Sequence, residues 1–132
     1  MLKAGFSRVD ITPPLGVSVQ GYFEPRTAKG VLDPLLATAV AFDDGEKKAV
    51  IISVDVIGMN MEFMSLLRPA VAEAAGLDVD GVFIACTHTH LGPGVASTEA
   101  KIGKFDGSQE MQGRIDIRAS MGPINDERGS TC

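Results

Sequence analysis

Four stretches of the chain carry the alternating or continuous apolar pattern that is typical of β-strands. Residues 4–11 alternate loosely, whereas residues 35–42 and 48–57 are more strongly apolar. The fourth stretch, Gly-Val-Phe-Ile-Ala-Cys at residues 81–86, is an almost unbroken apolar run. We therefore predict four strands. The run within residues 48–57 is expected to be buried on both faces, which favours a central position in the sheet.

The connections between these strands predict how they pair. Asp43-Asp44-Gly45-Glu46 separates the second strand from the third and is a hairpin signal, so these two strands are expected to pair antiparallel. A helix is expected over residues 60–75, because Asn60 can cap it and Gly76 can end it. Pro69 is expected to kink or restart this helix.

These elements predict an α/β fold with a mixed sheet, in which an antiparallel hairpin is followed by a β-α-β crossover. The crossover leaves the last two strands parallel, so their carboxyl ends lie on one edge of the sheet. Ligand sites in open α/β sheets lie at this edge. Asp55, near the end of the third strand, and His88, at the end of the fourth, are therefore expected on this edge.

Two segments lack a clear period. Residues 13–34 are punctuated by glycines and prolines, and a loop of this length is usually either functional or disordered. Residues 95–132 hold hydrophobic side chains at 12 of 38 positions, against about half in the preceding part. We expect residues 1–94 to form a partial domain and residues 95–132 a poorly ordered or atypical tail.

The composition narrows the class of protein. A chain of 132 residues with 45% hydrophobic residues is typical of one globular domain. Its net charge of -5 argues against a nucleic-acid partner. The two cysteines do not form a disulfide framework, and the sequence shows neither a signal peptide nor a transmembrane run. These features predict a cytoplasmic location; they do not indicate an oligomeric state.

Both histidines of the chain, His88 and His90, follow the last apolar run. Neutral imidazole nitrogens suit zinc and similar ions, and His-x-His presents both rings on one side if the strand continues that far. The alternative is a hydrogen-bonded pair that closes the strand. Asp55 has two interpretations as well: it supports or joins a metal site, or it caps the turn that follows its own strand.

Several motifs together resemble the N-terminal part of the catalytic domain in the neutral/alkaline (non-lysosomal) ceramidase family. They occur in the family's order over residues 4–94. In this sequence they are Ala-Gly-Phe-Ser-Arg-Val-Asp-Ile-Thr-Pro-Pro at 4–14, Gly21-Tyr22, Asp33-Pro34-Leu35, Ser53-Val54-Asp55, and Thr87-His88-Thr89-His90 with Gly92-Pro93.

The resemblance implies a zinc-dependent amide hydrolase. Members of the family cleave the N-acyl bond of ceramide, releasing a fatty acid and sphingosine, so an N-acylated lipid or small amide is the implied substrate. By similarity, His88 is a zinc ligand, His90 lines the active site and contacts substrate, and Gly21 lies near the same pocket. Leu32 and Leu91 depart from the family, in which many members have a histidine and a small hydroxyl residue, respectively.

Length is the larger departure, because the family's other zinc ligands lie far beyond the matching region. The sequence therefore predicts an N-terminal portion of such an enzyme that is inactive alone. The alternative is a non-catalytic α/β module or an inactive truncated product. A third hypothesis is a metal-binding or redox protein that uses Cys86 with the histidines; a free cysteine within an apolar run is more often a small core residue.

Overall fold

A computed structural model of the chain describes residues 1–95 and contains two sheets. The larger sheet has the strand order β1-β4-β5-β6, and the smaller pairs β2 with β3. The elements in chain order are β1 (Lys3–Asp10), β2 (Ser18–Val19), β3 (Arg26–Thr27), β4 (Leu36–Asp43), β5 (Lys48–Val54), α1 (Met61–Ala75), a 3-10 turn (Val79–Gly81) and β6 (Val82–Cys86).

The predicted α/β class and strand pairing are confirmed. β4 pairs antiparallel with β1 and with β5, whereas β5 and β6 are parallel. The β4–β5 hairpin closes through Asp44, whose Oδ1 accepts the N–H groups of Glu46 at 2.9 Å and Lys47 at 2.7 Å. These bonds, that from Lys47 foremost, lower the pKa of the Asp44 carboxyl.

Helix α1 begins and ends at the residues that the sequence indicates. The side chain of Asn60 accepts the N–H of Phe63 at 2.8 Å, which satisfies a donor of the first turn. Gly76 ends the helix in the left-handed conformation at φ 63°. The helix continues without a break across Pro69, so the proline does not restart it.

The core lies between α1 and one face of the larger sheet. The helix contributes Phe63, Leu67 and Val71, all buried. The sheet contributes inward-facing aliphatic residues, among them Val50, Ile52, Val54 and Val82. Burial of this apolar surface is the main contribution to the stability of the fold.

The prediction that the run at residues 48–57 is buried on both faces is wrong. Ile51 is 47% exposed, and its register partner on β6, Phe83, is 61% exposed. On the other side Ile51 pairs with Val40 of β4, whose own partner on β1, Phe6, is 79% exposed. The strand also ends at Val54 rather than at residue 57. Within residues 1–95 a single α-helix packs on the larger sheet and covers one of its faces. The apolar pattern of β5 therefore does not show that both faces are buried.

The segment at residues 13–34 is more regular than its sequence suggests. It contains β2 and β3, which pair antiparallel with Ser18 opposite Thr27. Backbone bonds from Ala28 N to Val17 O (2.9 Å) and from Gly16 N to Ala28 O (2.8 Å) close its base. The predicted tail at residues 95–132 falls, apart from Val95, outside the described residues. Among the residues that are described, no helix is long and apolar enough to cross a membrane.

Adjacent isoleucines on β5 test the one-sided core. Ile52 is 2% exposed, and Ile52→Ala is expected to lower the free energy of unfolding by about 3 kcal/mol through lost burial and a cavity. Ile51→Ala makes the same chemical change on the open face and is expected to cost about 1 kcal/mol or less. Urea unfolding followed by circular dichroism measures both; equal losses would contradict the one-sided arrangement.

Candidate active site

The chain beyond β6 stays attached to the chain beyond β5. Val54 and Cys86 are register partners at the ends of these parallel strands. Two further backbone bonds continue the contact, from Thr87 N to Val54 O at 2.9 Å and from His88 N to Val56 O at 3.0 Å. His88 therefore lies beside residues 55–57 at the carboxyl edge of the sheet, as the crossover predicts.

His88 leaves the strand conformation. Its φ of 60° lies in the left-handed region, which few residues other than glycine adopt. The strand ends at Cys86, so the alternation that relates i and i+2 in a strand does not reach the histidines. They are brought together by the turn instead.

A backbone carbonyl fixes the tautomer of His88. Nδ1 of His88 lies 2.7 Å from the carbonyl oxygen of Ile57. Because a carbonyl only accepts hydrogen bonds, this contact requires the proton on Nδ1 in the neutral ring. The lone pair then belongs to Nε2, which is the atom available to a metal.

The same arrangement recurs at His90 with a carbonyl from a distant part of the chain. Nδ1 of His90 lies 3.0 Å from the oxygen of Gly21, which again leaves the lone pair on Nε2. A Cβ on residue 21 would lie 2.5 Å from His90 Nδ1 and 2.6 Å from its Cγ. Residue 21 also has a φ of +95°. Only glycine meets both requirements without displacement.

The segment that carries Gly21 is joined to the histidine turn at several points. Gln20 N donates to Gly92 O at 3.0 Å, and Val19 forms an isolated β-bridge with Pro93. A side chain on Gly94 would collide with the side chain of Gln20. The β2–β3 unit, residues 17–28, therefore packs against residues 88–94 and holds Gly21 beside His90.

The two imidazoles are neighbours. Their ring centroids are 5.1 Å apart and their planes are inclined by 74°. Both residues are exposed, so solvent reaches the two rings. Two imidazole nitrogens match the donor chemistry of zinc. Within residues 1–95, however, no group of three or more His, Cys, Asp or Glu side chains is placed to hold a metal ion.

The carboxylate of Asp55 has a partner other than the imidazoles. Its Oδ2 accepts the N–H of Leu36 at 2.9 Å, and its own N–H donates to Leu36 O at 2.9 Å. Asp55 thereby fastens the start of β4 to the chain that leaves β5. A supporting role toward a metal ligand stays a prediction, since the carbonyl of Ile57 is the group that orients His88.

Cys86 has the environment of a core thiol. It packs, half-buried, against the main hydrophobic cluster. Burial raises the pKa of the Cys86 thiol, and a hydrogen bond with the backbone of Met59 opposes this in part. A protonated thiol is a poor metal ligand and nucleophile, which disfavours the redox hypothesis. The two leucines that depart from the ceramidase pattern are both exposed, Leu32 at 99% and Leu91 at 71%.

Sequence reasoning missed the two backbone carbonyls, those of Ile57 and Gly21. Every residue carries a carbonyl, so no side-chain pattern marks the ones that receive a histidine. Gly21 was the one sequence signal for either carbonyl. It was singled out because it belongs to a family motif, and its close packing against His90 was not foreseen.

Gly21→Ala is expected to displace the ring of His90, with Gly16→Ala as a matched control. Both glycines have φ above +90°, so alanine costs about 1–2 kcal/mol of backbone strain at either position. Nothing lies within 4 Å of a Cβ at Gly16, whereas at Gly21 the His90 ring is in the way. Ring carbon–proton NMR spectra should show a large shift for His90 in Gly21→Ala alone. Equal shifts in both variants would contradict the close approach.

Comparison with known proteins shows a similarity of fold. No family model matches the sequence, and no curated protein matches it significantly. The structure is similar to that of neutral ceramidase from Pseudomonas aeruginosa, with a TM-score of 0.70 and 21% identity. It is similar also to a ceramidase solved in complex with C2, with a TM-score of 0.67 and 22% identity. Each match covers 89% of this chain and 21% of the solved one.

The chain thus spans about a fifth of the length of the ceramidases it matches. The likeness agrees with the resemblance that the sequence motifs carry to the N-terminal part of this family. The chain has the fold of part of a neutral ceramidase.

Proposed function

We propose that this chain forms part of a zinc-dependent amide hydrolase of the neutral ceramidase type, acting on ceramide or a related N-acylated substrate. The observation that carries the proposal is the pair of adjacent imidazoles, each with Nδ1 on a backbone carbonyl. Fixing Nδ1 in this way is the usual means by which a protein prepares Nε2 for a metal or a substrate. The likeness of fold to neutral ceramidase supports the same conclusion.

The two histidines have different roles in this proposal. His88 holds zinc through Nε2, because its ring is fixed to the sheet edge through Ile57 and its backbone N–H to Val56. His90 contacts the substrate: its Nε2 lone pair accepts a hydrogen bond from a donor such as an amide N–H or a hydroxyl. Gly21 keeps His90 in place and admits its ring. Zinc, when bound, supplies Lewis-acid activation of water and of the amide carbonyl.

The site in residues 1–95 is incomplete as a catalytic centre. Catalytic zinc commonly has three protein ligands and one open position, whereas these residues offer one imidazole in the family arrangement, or two in simple chelation. This shortfall favours, as a second candidate, a non-catalytic module that keeps the fold. The effect of each histidine on zinc binding distinguishes the assigned metal ligand from the assigned substrate contact.

Zinc titration of two variants tests the assigned ligand. His88→Ala is expected to abolish the binding that isothermal titration detects, because it removes the ligand itself. His90→Ala is expected to weaken binding less, since His90 is assigned to substrate. Leu91→Ala, a change at an exposed neighbour, is the control and should bind as the unsubstituted chain does. Equal losses from both histidines would indicate bidentate chelation and contradict the separate roles of ligand and substrate contact.

Ceramide hydrolysis by the 132-residue chain alone is expected to be undetectable. An ion held by one or two imidazoles exchanges readily, and the exposed site does not exclude water, which weakens electrostatic stabilisation of the reaction. The assay is release of fatty acid from labelled ceramide with excess zinc and a chelator control. Chelator-sensitive turnover that is absent in His88→Ala would show a complete enzyme and overturn the expectation.

A further inference from the structure

Besides the carbonyl of Gly21, the β2–β3 unit places the side chain of Tyr22 beside His90, and nothing in the ceramidase resemblance gives this side chain a role. We propose that Tyr22, held in place by Arg26, is a positioning residue that fixes the orientation of the His90 ring. The inference deepens the proposed function and rests on it, because an oriented Nε2 matters only if His90 meets a substrate or a metal.

The geometry is a row of three neighbouring side chains, Arg26, Tyr22 and His90. The guanidinium carbon of Arg26 lies 4.0 Å from the centroid of the Tyr22 ring, within the range of a cation–π contact. Tyr22 and His90 have centroids 6.2 Å apart and planes inclined by 87°, an edge-to-face pair. Arg26 therefore fixes Tyr22, and Tyr22 restricts His90.

His90 needs such a restraint more than His88 does. The second torsion of a histidine side chain has broad preferences, and a half-turn about it exchanges Nδ1 for a carbon. The bond from His90 to Gly21 O, at 3.0 Å, is longer than the 2.7 Å bond of His88 to Ile57 O. A single hydrogen bond at a solvent-accessible residue restrains a ring weakly, whereas an aromatic neighbour at right angles also hinders the turn sterically.

Strand pairing fixes the backbone position of Arg26, the residue that carries the positive charge. Arg26 is the register partner of Val19, and Val19 bridges to Pro93, three residues beyond His90. The backbone that carries Arg26 is thus tied to the backbone that carries His90. Tyr22 adjoins Gly21, so consecutive residues hold the imidazole at two places, by a carbonyl on Nδ1 and by an aromatic ring at right angles to its plane.

The test measures motion of the two histidine rings in the metal-free protein. Carbon relaxation gives an order parameter for each ring, and His88 serves as the internal reference. In Tyr22→Ala we expect the order parameter of His90 to fall below about 0.6, the range of flexible groups, with that of His88 unchanged. Tyr22→Phe keeps the ring and should restore the value. Phe23→Ala, at the fully exposed neighbouring position, is the matched control and should have no effect.

Arg26→Gln provides a second route that leaves Tyr22 itself intact. It removes the cation, and a partial fall in the His90 order parameter is expected. Unchanged His90 order in both Tyr22→Ala and Arg26→Gln would overturn the proposal, as would equal loosening of His88 and His90. The relaxation experiment contains neither zinc nor substrate. If zinc fails to bind in the separate titration, the proposed function is lost, whereas the measured restraint of His90 by Tyr22 is unaffected.

Discussion

Two hydrogen bonds to backbone carbonyls determine what the histidines of this chain can do. Ile57 O and Gly21 O each accept from an Nδ1–H, so both neutral rings carry their lone pair on Nε2. A solvent-accessible imidazole without such a partner populates both tautomers and several orientations. With the partners in place, two imidazole rings of defined tautomer lie with their centroids 5.1 Å apart beside the carboxyl edge of a sheet.

Those carbonyls are positioned by different parts of the fold. Ile57 follows β5, and the parallel register of β5 with β6 brings it to the start of the histidine turn. Gly21 belongs to the β2–β3 unit, which is tied to the same turn through Gln20 and Val19. The site therefore depends on a long-range contact between residues 69 positions apart. Loss of the β2–β3 unit would release His90 while leaving His88 in place.

The sequence predicted the elements whose signals are local. Asn60 and Gly76 bound the helix because capping needs only a few neighbouring residues, and Asp44 and Gly45 predicted the hairpin for the same reason. Exposure of Ile51 was not predictable, since it depends on what else packs against the sheet. The pairing of β2 with β3 was missed because strands of two residues have no detectable period. His88 and His90 were identified from the His-x-His pattern and Gly21 through a family motif, whereas their hydrogen bonds depend on contacts that only the folded chain makes.

Residues 1–95 have the fold of part of a neutral ceramidase, and the defined tautomer of the two histidine rings is the central feature of the candidate site. The most direct measurement is the nitrogen-15 NMR spectrum of the histidine side chains in the metal-free protein, at a pH where both rings are neutral. We expect a protonated Nδ1 and an unprotonated Nε2 at both His88 and His90. A protonated Nε2 at either residue would contradict this arrangement.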